Sequence, residues 1–259
     1  MALTVNNLIS DPTGFPVFAG GGPRLLGFAT PDEIEVGQGN LFSFPWGVWG
    51  LGGNDTIAGS FDSNERLLGN DGDDVIGGNG GNDIIYGGKL NDLLDGNDGN
   101  DIVRGDSGSD VIFGGFGNDI LRGGQGDDDL DGNEGDDFIA GDRGIDVLTG
   151  GLGADIFVLR SNDEFGVNGA DVITDFNFDE GDRLGLTDGL TELDLLFEDD
   201  NLIAYDNDGI INDMVIENRV TGQILGIVLN TNSFQITGAF ESASPFALGI
   251  NGSQFQFLA

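Results

Sequence analysis

A nine-residue repeat runs through the middle of the chain and constrains its fold more than any other feature. An aspartate recurs every nine residues, a glycine stands five residues before each aspartate, and an apolar residue stands two residues after it. The ten aspartates are Asp74, Asp83, Asp92, Asp101, Asp110, Asp119, Asp128, Asp137, Asp146 and Asp155. Such self-similarity predicts a solenoid, in which each turn of the chain depends on its neighbours.

The residue types within the repeat predict its local conformation. With the aspartate at position 6, position 1 is always Gly, position 4 is Gly except at Leu90, and position 2 is only Gly, Asn or Asp. Those residues best tolerate a positive φ. Position 8 is always apolar, and because side chains alternate along a strand it is expected to point inward. Each repeat is therefore predicted to be a tight six-residue turn followed by a three-residue strand.

One inward residue per strand cannot close a core, whereas two strands that face each other across a flattened coil can. The sequence therefore predicts two repeats, or about 18 residues, per turn of the solenoid. Alternate repeats then stack as two apolar ladders. One ladder is Ile76, Leu94, Ile112, Leu130 and Leu148, and the facing ladder is Ile85, Val103, Leu121, Ile139 and Phe157.

Composition divides the chain into three regions. Residues 1–49 mix Pro, Gly and aromatic residues and are expected to form an N-terminal cap, residues 50–158 form the repeat, and residues 159–259 are expected to form a β-rich C-terminal cap. Asp55 fits the frame but lies 19 residues before Asp74, so one residue is inserted, with 61–68 as its expected place. Strands are predicted at 202–205 and 214–216.

The charge of the chain limits its chemistry. It has 46 acidic and 9 basic residues, a formal charge of −37, which opposes compaction unless counter-charge is bound. That sign disfavours a nucleic-acid partner. The chain has no Cys and no His, which excludes disulfides, the usual zinc ligands and Ser-His or Cys-His catalysis. We expect no Sec-type signal peptide and no transmembrane segment, since no apolar run is long enough.

The aspartate rows favour calcium. Aspartates 18 residues apart, such as Asp74 and Asp92, are expected to face each other between stacked coils, where like charges disfavour the fold unless a divalent ion separates them. Calcium accepts six to eight oxygen ligands in flexible geometry, whereas magnesium demands a stricter octahedron. Residues 69–158 hold 21 acidic and 4 basic residues, a net charge of −17, which about eight Ca²⁺ would nearly neutralise.

The frame resembles the RTX, or haemolysin-type, calcium-binding repeat, Gly-Gly-x-Gly-x-Asp-x-(apolar)-x. Residues 114–122 and 123–131 are good matches, and the resemblance covers residues 50–158. It implies an all-β, right-handed parallel β-roll with capping segments at both ends and calcium in both rows of turns. The position-6 aspartates, including Asp55, would bridge the coils, and carbonyls of positions 1 to 4 would complete each shell. Leu90 departs from the pattern, so its turn is expected to be the weakest site.

The sequence after the roll also resembles this family. Residues 171–176 and 182–186 match the stretch that caps the roll, and the resemblance implies a further calcium ligand there, Asp175. Residues 221–227 and 236–240 resemble the tails of bacterial, especially cyanobacterial, members. The resemblance favours secretion through a type I exporter, with an uncleaved signal near Phe240, Phe246, Phe255 and Phe257, over a final packed strand.

The expected function is that of a secreted calcium-binding protein without enzymatic activity, in a structural, cell-surface or adhesion role, with a glycan or matrix component as a further partner. The alternative is an enzyme, or an accessory module of an enzyme, that modifies extracellular polysaccharides. Paired carboxylates invite a glycosidase interpretation, but nothing marks out one pair. Trp46 and Trp49 favour closing of the first coil over stacking on a sugar. A pore-forming toxin is disfavoured, because it would need a long apolar N-terminal region and an acylated lysine outside the repeat. The only lysine, Lys89, lies inside the repeat.

Overall fold

The protein is built almost entirely of short β-strands. The computed structural model describes residues 2–4, 25–26, 30–35, 47–160, 170–187, 190, 192–199, 213–229 and 240–242. The strands are β1 (Ala2–Thr4), β2 (Leu25–Leu26), β3 (Glu33–Glu35), β4 (Val48–Gly52), β5 (Thr56–Ala58), β6 (Arg66–Asp71), β7 (Val75–Gly77), β8 (Ile84–Lys89), β9 (Leu93–Asp98), β10 (Ile102–Ser107), β11 (Val111–Phe116), β12 (Ile120–Gln125), β13 (Asp129–Glu134), β14 (Phe138–Arg143), β15 (Val147–Thr149), β16 (Ile156–Leu159), β17 (Asp171–Ile173), β18 (Arg183–Leu186), β19 (Leu195–Asp199), β20 (Met214–Asn218), β21 (Ile224–Val228) and β22 (Phe240–Ser242). A single turn of 3-10 helix spans Glu192–Asp194. Among these residues no helix is long and apolar enough to cross a membrane.

Consecutive strands alternate between two sheets, so the chain winds as a flattened coil. The first sheet has the order β1-β3-β5-β7-β9-β11-β13-β15-β17-β21-β20-β19, and the second has the order β2-β4-β6-β8-β10-β12-β14-β16-β18-β22. All neighbours are parallel except in the antiparallel run β19-β20-β21. Ile112 pairs with Leu94 on one side and Leu130 on the other, 18 residues away in each direction. The predicted all-β parallel roll with about 18 residues per turn is therefore confirmed.

The strands in the middle of the roll are longer than predicted. From β8 to β14 each strand spans six residues and includes positions 1 to 3 of the next repeat. Stacked coils have the same shape, so their backbones continue to pair beyond the inward-facing glycine, as Ser107 does with Gln125. The predicted positive φ at position 2 is confirmed, with values of 80° at Asn70, 69° at Asn97 and 77° at Asp106. Only positions 4 to 6 therefore lie outside the strands.

The core consists of the two predicted ladders. All ten position-8 side chains are at most 1% exposed. The ladders continue upstream through Ile57 and Leu67 and downstream through Ile173 and Leu184. Burying each such side chain contributes roughly 2 kcal/mol, so the stack of coils is held mainly by these two lines of contacts.

The stacking runs across both expected region boundaries, because β3 pairs with β5, β15 with β17 and β16 with β18. The division at residues 49/50 and 158/159 stays a prediction.

The inserted residue lies between Ser60 and Asn64, since Ser60 O accepts from Gly80 N, 20 residues on, while Asn64 Oδ1 accepts from Asn82 N, 18 residues on. The strand expected at 214–216 is β20. Residues 202–205, Trp46 and the tail after 242 lie outside the described residues.

Candidate calcium-binding rows

The position-6 aspartates form two straight rows along the edges of the roll. In each row the Oδ1 atom accepts the backbone N–H of the row member one coil earlier, as in the 2.8 Å bond from Asp74 N to Asp92 Oδ1. These bonds run from 2.6 to 3.2 Å. The first row is Asp32, Asp55, Asp74, Asp92, Asp110, Asp128, Asp146 and Asp171, and the second is Glu65, Asp83, Asp101, Asp119, Asp137, Asp155 and Asp182. Each carboxylate is therefore held in one orientation by the coil before it.

The second carboxylate oxygen of most row members inside the roll has no hydrogen-bond partner. The buried Oδ2 atoms without one include those of Asp55, Asp74, Asp83, Asp92, Asp101, Asp110, Asp119, Asp128 and Asp137. A buried carboxylate oxygen that loses water and gains no partner destabilises the fold by at least about 1–3 kcal/mol. A repeated orphan oxygen in every coil indicates that a cation completes the structure.

The position-1 glycines leave an open gap beside each orphan oxygen. A Cβ atom placed on Gly114 would stand 2.6 Å from Asp119 Oδ2 and 2.7 Å from the carbonyl oxygen of Gly132. At Gly69 the same atom would stand 2.1 Å from Asp74 Oδ2. A carboxylate oxygen and a carbonyl oxygen, both acceptors, therefore line a gap that any side chain at position 1 would fill. This explains why position 1 is glycine in every repeat.

The ligand set fits calcium in kind. Within the described ranges no three or more carboxylates converge closely enough to hold an ion by themselves. A cation in the rows would therefore take most of its ligands from backbone carbonyls. Calcium accepts such a mixed set of carboxylate and carbonyl oxygens, and the glycine-rich turns present both.

Comparison with known families identifies these repeats. The family model of the RTX calcium-binding nonapeptide repeat matches four times, at residues 48–64, 60–94, 95–130 and 131–162. Residues 48–162 therefore consist of RTX calcium-binding repeats. No curated protein matches the chain. The chain is a calcium-binding repeat protein, and its parallel roll is the fold expected of RTX repeats.

The electrostatics of the RTX rows disfavour bare, ionised carboxylates. Burial raises the pKa of Asp83, Asp92 and Asp137 to about 8 and that of Asp119 and Asp128 to about 7. The donated backbone N–H groups act in the opposite direction, and neighbouring carboxylates add to the rise. Burial also raises the pKa to about 6 at Asp55, Asp101, Asp110 and Asp155. Without a cation, these groups would hold protons close to neutral pH.

Eleven of the twelve residues predicted from sequence as calcium ligands lie in the two RTX rows. The exception is Asp175, whose two oxygens accept the backbone N–H groups of Gly150 at 2.9 Å and Gly151 at 2.8 Å. The row position of that coil is instead occupied by Asp171, which accepts from Asp146 N at 3.2 Å. Calcium binding by each of the twelve stays a prediction.

Four row members were missed by the sequence analysis: Asp32, Glu65, Asp171 and Asp182. Position 4 is not glycine at Asp32, Glu65 and Asp182, and Asp171, which keeps both glycines, lies outside the nine-residue count. Each nevertheless keeps an acid at position 6 and an apolar residue at position 8, as in Asp182-Arg183-Leu184. A search for this reduced pattern, an acid followed two residues later by an apolar residue, could have found these four row members.

The two ends of the second row are satisfied without a cation. The Glu65 carboxylate accepts from Ser60 N at 3.0 Å, from Ser60 Oγ at 2.8 Å and from Ser63 Oγ at 2.8 Å. At the other end, Asp182 accepts from Asp155 N at 3.0 Å and from Asn177 N at 2.7 Å. The unsatisfied oxygens of this row are therefore confined to its interior.

A second ladder lies outside the aspartate rows, at position 5, which is Asn or Asp in seven of the ten repeats. The Oδ1 atom of Asn82 accepts from Asn100 N at 3.1 Å, and that of Asn100 accepts from Asn118 N at 3.1 Å. Asp127 likewise accepts from Ile145 N at 3.0 Å. These bonds set the register between coils without any metal ion.

The turn at Leu90 keeps the shape of its neighbours. A Cβ atom placed on Gly108 would stand 1.7 Å from Leu90 O, the same separation as between a Cβ on Gly99 and Gly81 O. Asp92 Oδ2 in this turn is buried and unpartnered like the others. Leu90 reaches this shape with φ at 71°, which costs roughly 1–2 kcal/mol in a residue other than glycine. The departure therefore strains the turn and leaves its oxygen atoms in place.

Proposed function

We propose that this chain is a secreted RTX protein whose folding is driven by calcium binding in the two rows. The observation that carries the proposal is the set of nine buried Oδ2 atoms, from Asp55 to Asp137, that have no hydrogen-bond partner. In their ionised state these atoms oppose stacking of the coils, and an ion between neighbouring coils converts that opposition into attraction. Because the sites exist only when the coils are stacked, the free energy of calcium binding becomes free energy of folding.

The proposed ligands are the position-6 aspartates from Asp55 to Asp155, with Asp175 near the end of the roll. About eight Ca²⁺ would bind, one for each pair of row aspartates 18 residues apart. Residues 1–49 and 159–259 would act as caps on the roll of residues 50–158. The buried row carboxylates, with their raised pKa values, support this assignment for the interior of both rows.

The location follows from the same chemistry. At the low calcium concentration of a cytosol, a chain with a charge of −37 would stay largely unfolded and could pass through a type I exporter. Outside the cell, where calcium sites with dissociation constants of roughly 0.1–1 mM are filled, the roll would form. RTX repeats are typical of extracellular proteins, which supports this order of events. The role proposed for the folded roll is non-enzymatic, in a cell surface, a matrix or adhesion.

Circular dichroism and small-angle scattering test the proposal. In EGTA the full chain should scatter as an expanded coil with little β signal. Addition of calcium should restore the β signal and a compact rod, and magnesium at the same concentration should not. Equilibrium dialysis should count about eight bound ions. A full β signal in EGTA would refute calcium-driven folding. A glycan array probed with the calcium-loaded protein tests the adhesion role separately.

A further inference from the structure

The two outer faces of the roll differ in how their carboxylates are neutralised. On the face of the second sheet, Asp106 is paired with Arg104. Asp142 on the same face lies between Arg122 and Arg160, with a distance of 2.7 Å from Arg160 Nη2 to Asp142 Oδ1. The arginines of this sheet thus balance its acids.

The face of the first sheet carries a groove that has acids but no arginine. This groove, the first-face groove, has a volume of about 300 Å³ and is lined by Asp95, Asn97, Asp98, Gly115, Phe116, Asn133 and Glu134. Its residues come from β9, β11 and β13, which lie side by side. Gly115 pairs with Asn97 and Asn133, so the floor is open between two amide side chains. Phe116, which is 58% exposed, stands between Asp98 and Glu134.

Among the described residues, the carboxylates of the first-face groove have no ion-pair partner and its ring has no aromatic or cationic partner. Asp95, Asp98 and Glu134 take part in none of the ion pairs of the described chain. The Phe116 ring contacts no other ring and no cation there. Asp95 accepts a hydrogen bond from within the groove, from Asn97 N to Asp95 Oδ1, at 3.0 Å. The groove is therefore electrostatically incomplete.

Two other outward-facing rings among the described residues carry an arginine. The Arg66 guanidinium lies 5.4 Å from the centre of the Tyr86 ring, and that of Arg183 lies 4.9 Å from the centre of the Phe178 ring. Phe116 offers the same kind of surface with carboxylates on both sides. A guanidinium can stack on such a ring and donate paired hydrogen bonds to a carboxylate, which a compact ammonium group does less well.

A bare metal ion does not fit the first-face groove. Asp98 and Glu134 stand two strands apart, a separation of roughly 9–10 Å at the backbone, which is too wide for one ion to be shared by short ligand bonds. No three carboxylates of the described chain converge as a metal cluster. A planar organic cation, by contrast, spans a ring and a flanking carboxylate.

We infer that the first-face groove binds the guanidinium group of an arginine presented by a partner peptide. The guanidinium stacks on Phe116, pairs with Glu134 or Asp98, and donates to the amide oxygen of Asn133. This interaction goes beyond calcium binding. It needs only the folded roll, so every measurement is made with calcium present.

Fluorescence polarisation on the full calcium-loaded chain tests the inference. The probe is a labelled Gly-Gly-Arg-Gly-Gly peptide, compared with the same peptide carrying lysine. We expect the arginine peptide to bind several-fold more tightly, and Phe116→Ala and Glu134→Gln each to weaken it about tenfold through loss of one ring or carboxylate contact. The matched controls are Phe61→Ala, which removes an exposed phenylalanine elsewhere, and Glu180→Gln, which removes an exposed charge elsewhere.

Three results would overturn the inference. One is equal binding of the two peptides, and another is equal weakening by the groove and control variants, since either would indicate attraction to the net charge alone. The third is binding of a glucosamine oligomer in the groove without binding of the arginine peptide, which would assign the groove to an amino sugar. Circular dichroism in calcium verifies that each variant is folded, and the two groove variants change different kinds of contact.

Discussion

Replacing Asp119 with asparagine should change stability in opposite directions with and without calcium. Asp119 is 2% exposed, and burial raises its pKa from 3.8 to about 7. Each tenfold change in acidity is worth about 1.4 kcal/mol, so at neutral pH the metal-free roll is destabilised by up to about 4 kcal/mol at this residue. Asparagine keeps an acceptor for the backbone N–H of Asp101 and turns a donor toward the gap lined by the Gly132 carbonyl. Asp119→Asn should therefore stabilise the metal-free roll by a few kcal/mol.

With calcium the same change should be harmful. Asp119 belongs to two pairs of row aspartates, with Asp101 and with Asp137. The variant should bind up to two fewer ions, and its calcium-induced folding should need a higher calcium concentration, by about tenfold for each 1.4 kcal/mol of binding free energy that is lost. The expected result is a crossing of the stability order as calcium is added.

Folding of the metal-free chain by trimethylamine N-oxide, followed by circular dichroism, measures the first effect, because this osmolyte favours compact states. Calcium titration and equilibrium dialysis measure the second. The control is Asp129→Asn, which removes the same charge from an exposed position in β13. If the two variants shift the osmolyte midpoint equally in EGTA, or if Asp119→Asn binds as many ions as the parent chain, the reasoning is wrong.

Three further predictions concern the turns and the pH. Gly114→Ala would place a Cβ atom 2.6 Å from Asp119 Oδ2 and should abolish calcium binding in that coil, as measured by equilibrium dialysis. The control is Gly77→Ala, whose Cβ would meet nothing closer than 3.4 Å and which should bind calcium normally. An equal loss of bound calcium in both variants would show that the gap beside position 1 is not the binding site. Leu90→Gly should raise the free energy of unfolding in calcium by up to about 1 kcal/mol in urea melts, and a decrease would show that the positive φ is not strained. The row carboxyls have a pKa in the folded roll above their ordinary value of 3.8, so the metal-free roll takes up protons that the unfolded chain does not. Lowering the pH from about 8.5 to about 5 in EGTA should therefore increase the β signal in circular dichroism. Calcium affinity should fall over the same range. A decrease in the β signal would contradict the raised pKa of the row carboxyls.

The period of the sequence was enough to predict most of the fold. One apolar residue at every position 8 specifies both ladders, because a strand that buries a single side chain needs an opposite strand to cover it. Strand length was harder to predict. It depends on whether backbone pairing continues past an inward glycine, and this follows from the identical shape of stacked coils rather than from propensity.

The ends of the aspartate rows could not be predicted in the same way. Asp171 and Asp182 follow loops that lengthen the spacing between stacked acids to 25 and 27 residues, so neither continues the nine-residue count, and the family resemblance pointed to Asp175 instead. The hydrogen bond between coils decides membership of a row, and it depends on the path of a loop of irregular length. The groove around Phe116 also escaped prediction, because position 3 varies freely and its neighbours in space lie 18 residues away.

The backbone-to-carboxylate bonds all run in one direction, from each coil to the acid of the next. A gene that gains or loses two repeats therefore inserts or removes one whole coil, and every such bond re-forms with a new neighbour. Gain or loss of a single repeat keeps the nine-residue pattern of the sequence, but it shifts all residues after that point by half a coil. Asp171 and Asp182 would then meet each other's rows, and the closing loops would approach the wrong edges. The structural unit by which this protein can be lengthened is thus eighteen residues, although its sequence repeats every nine.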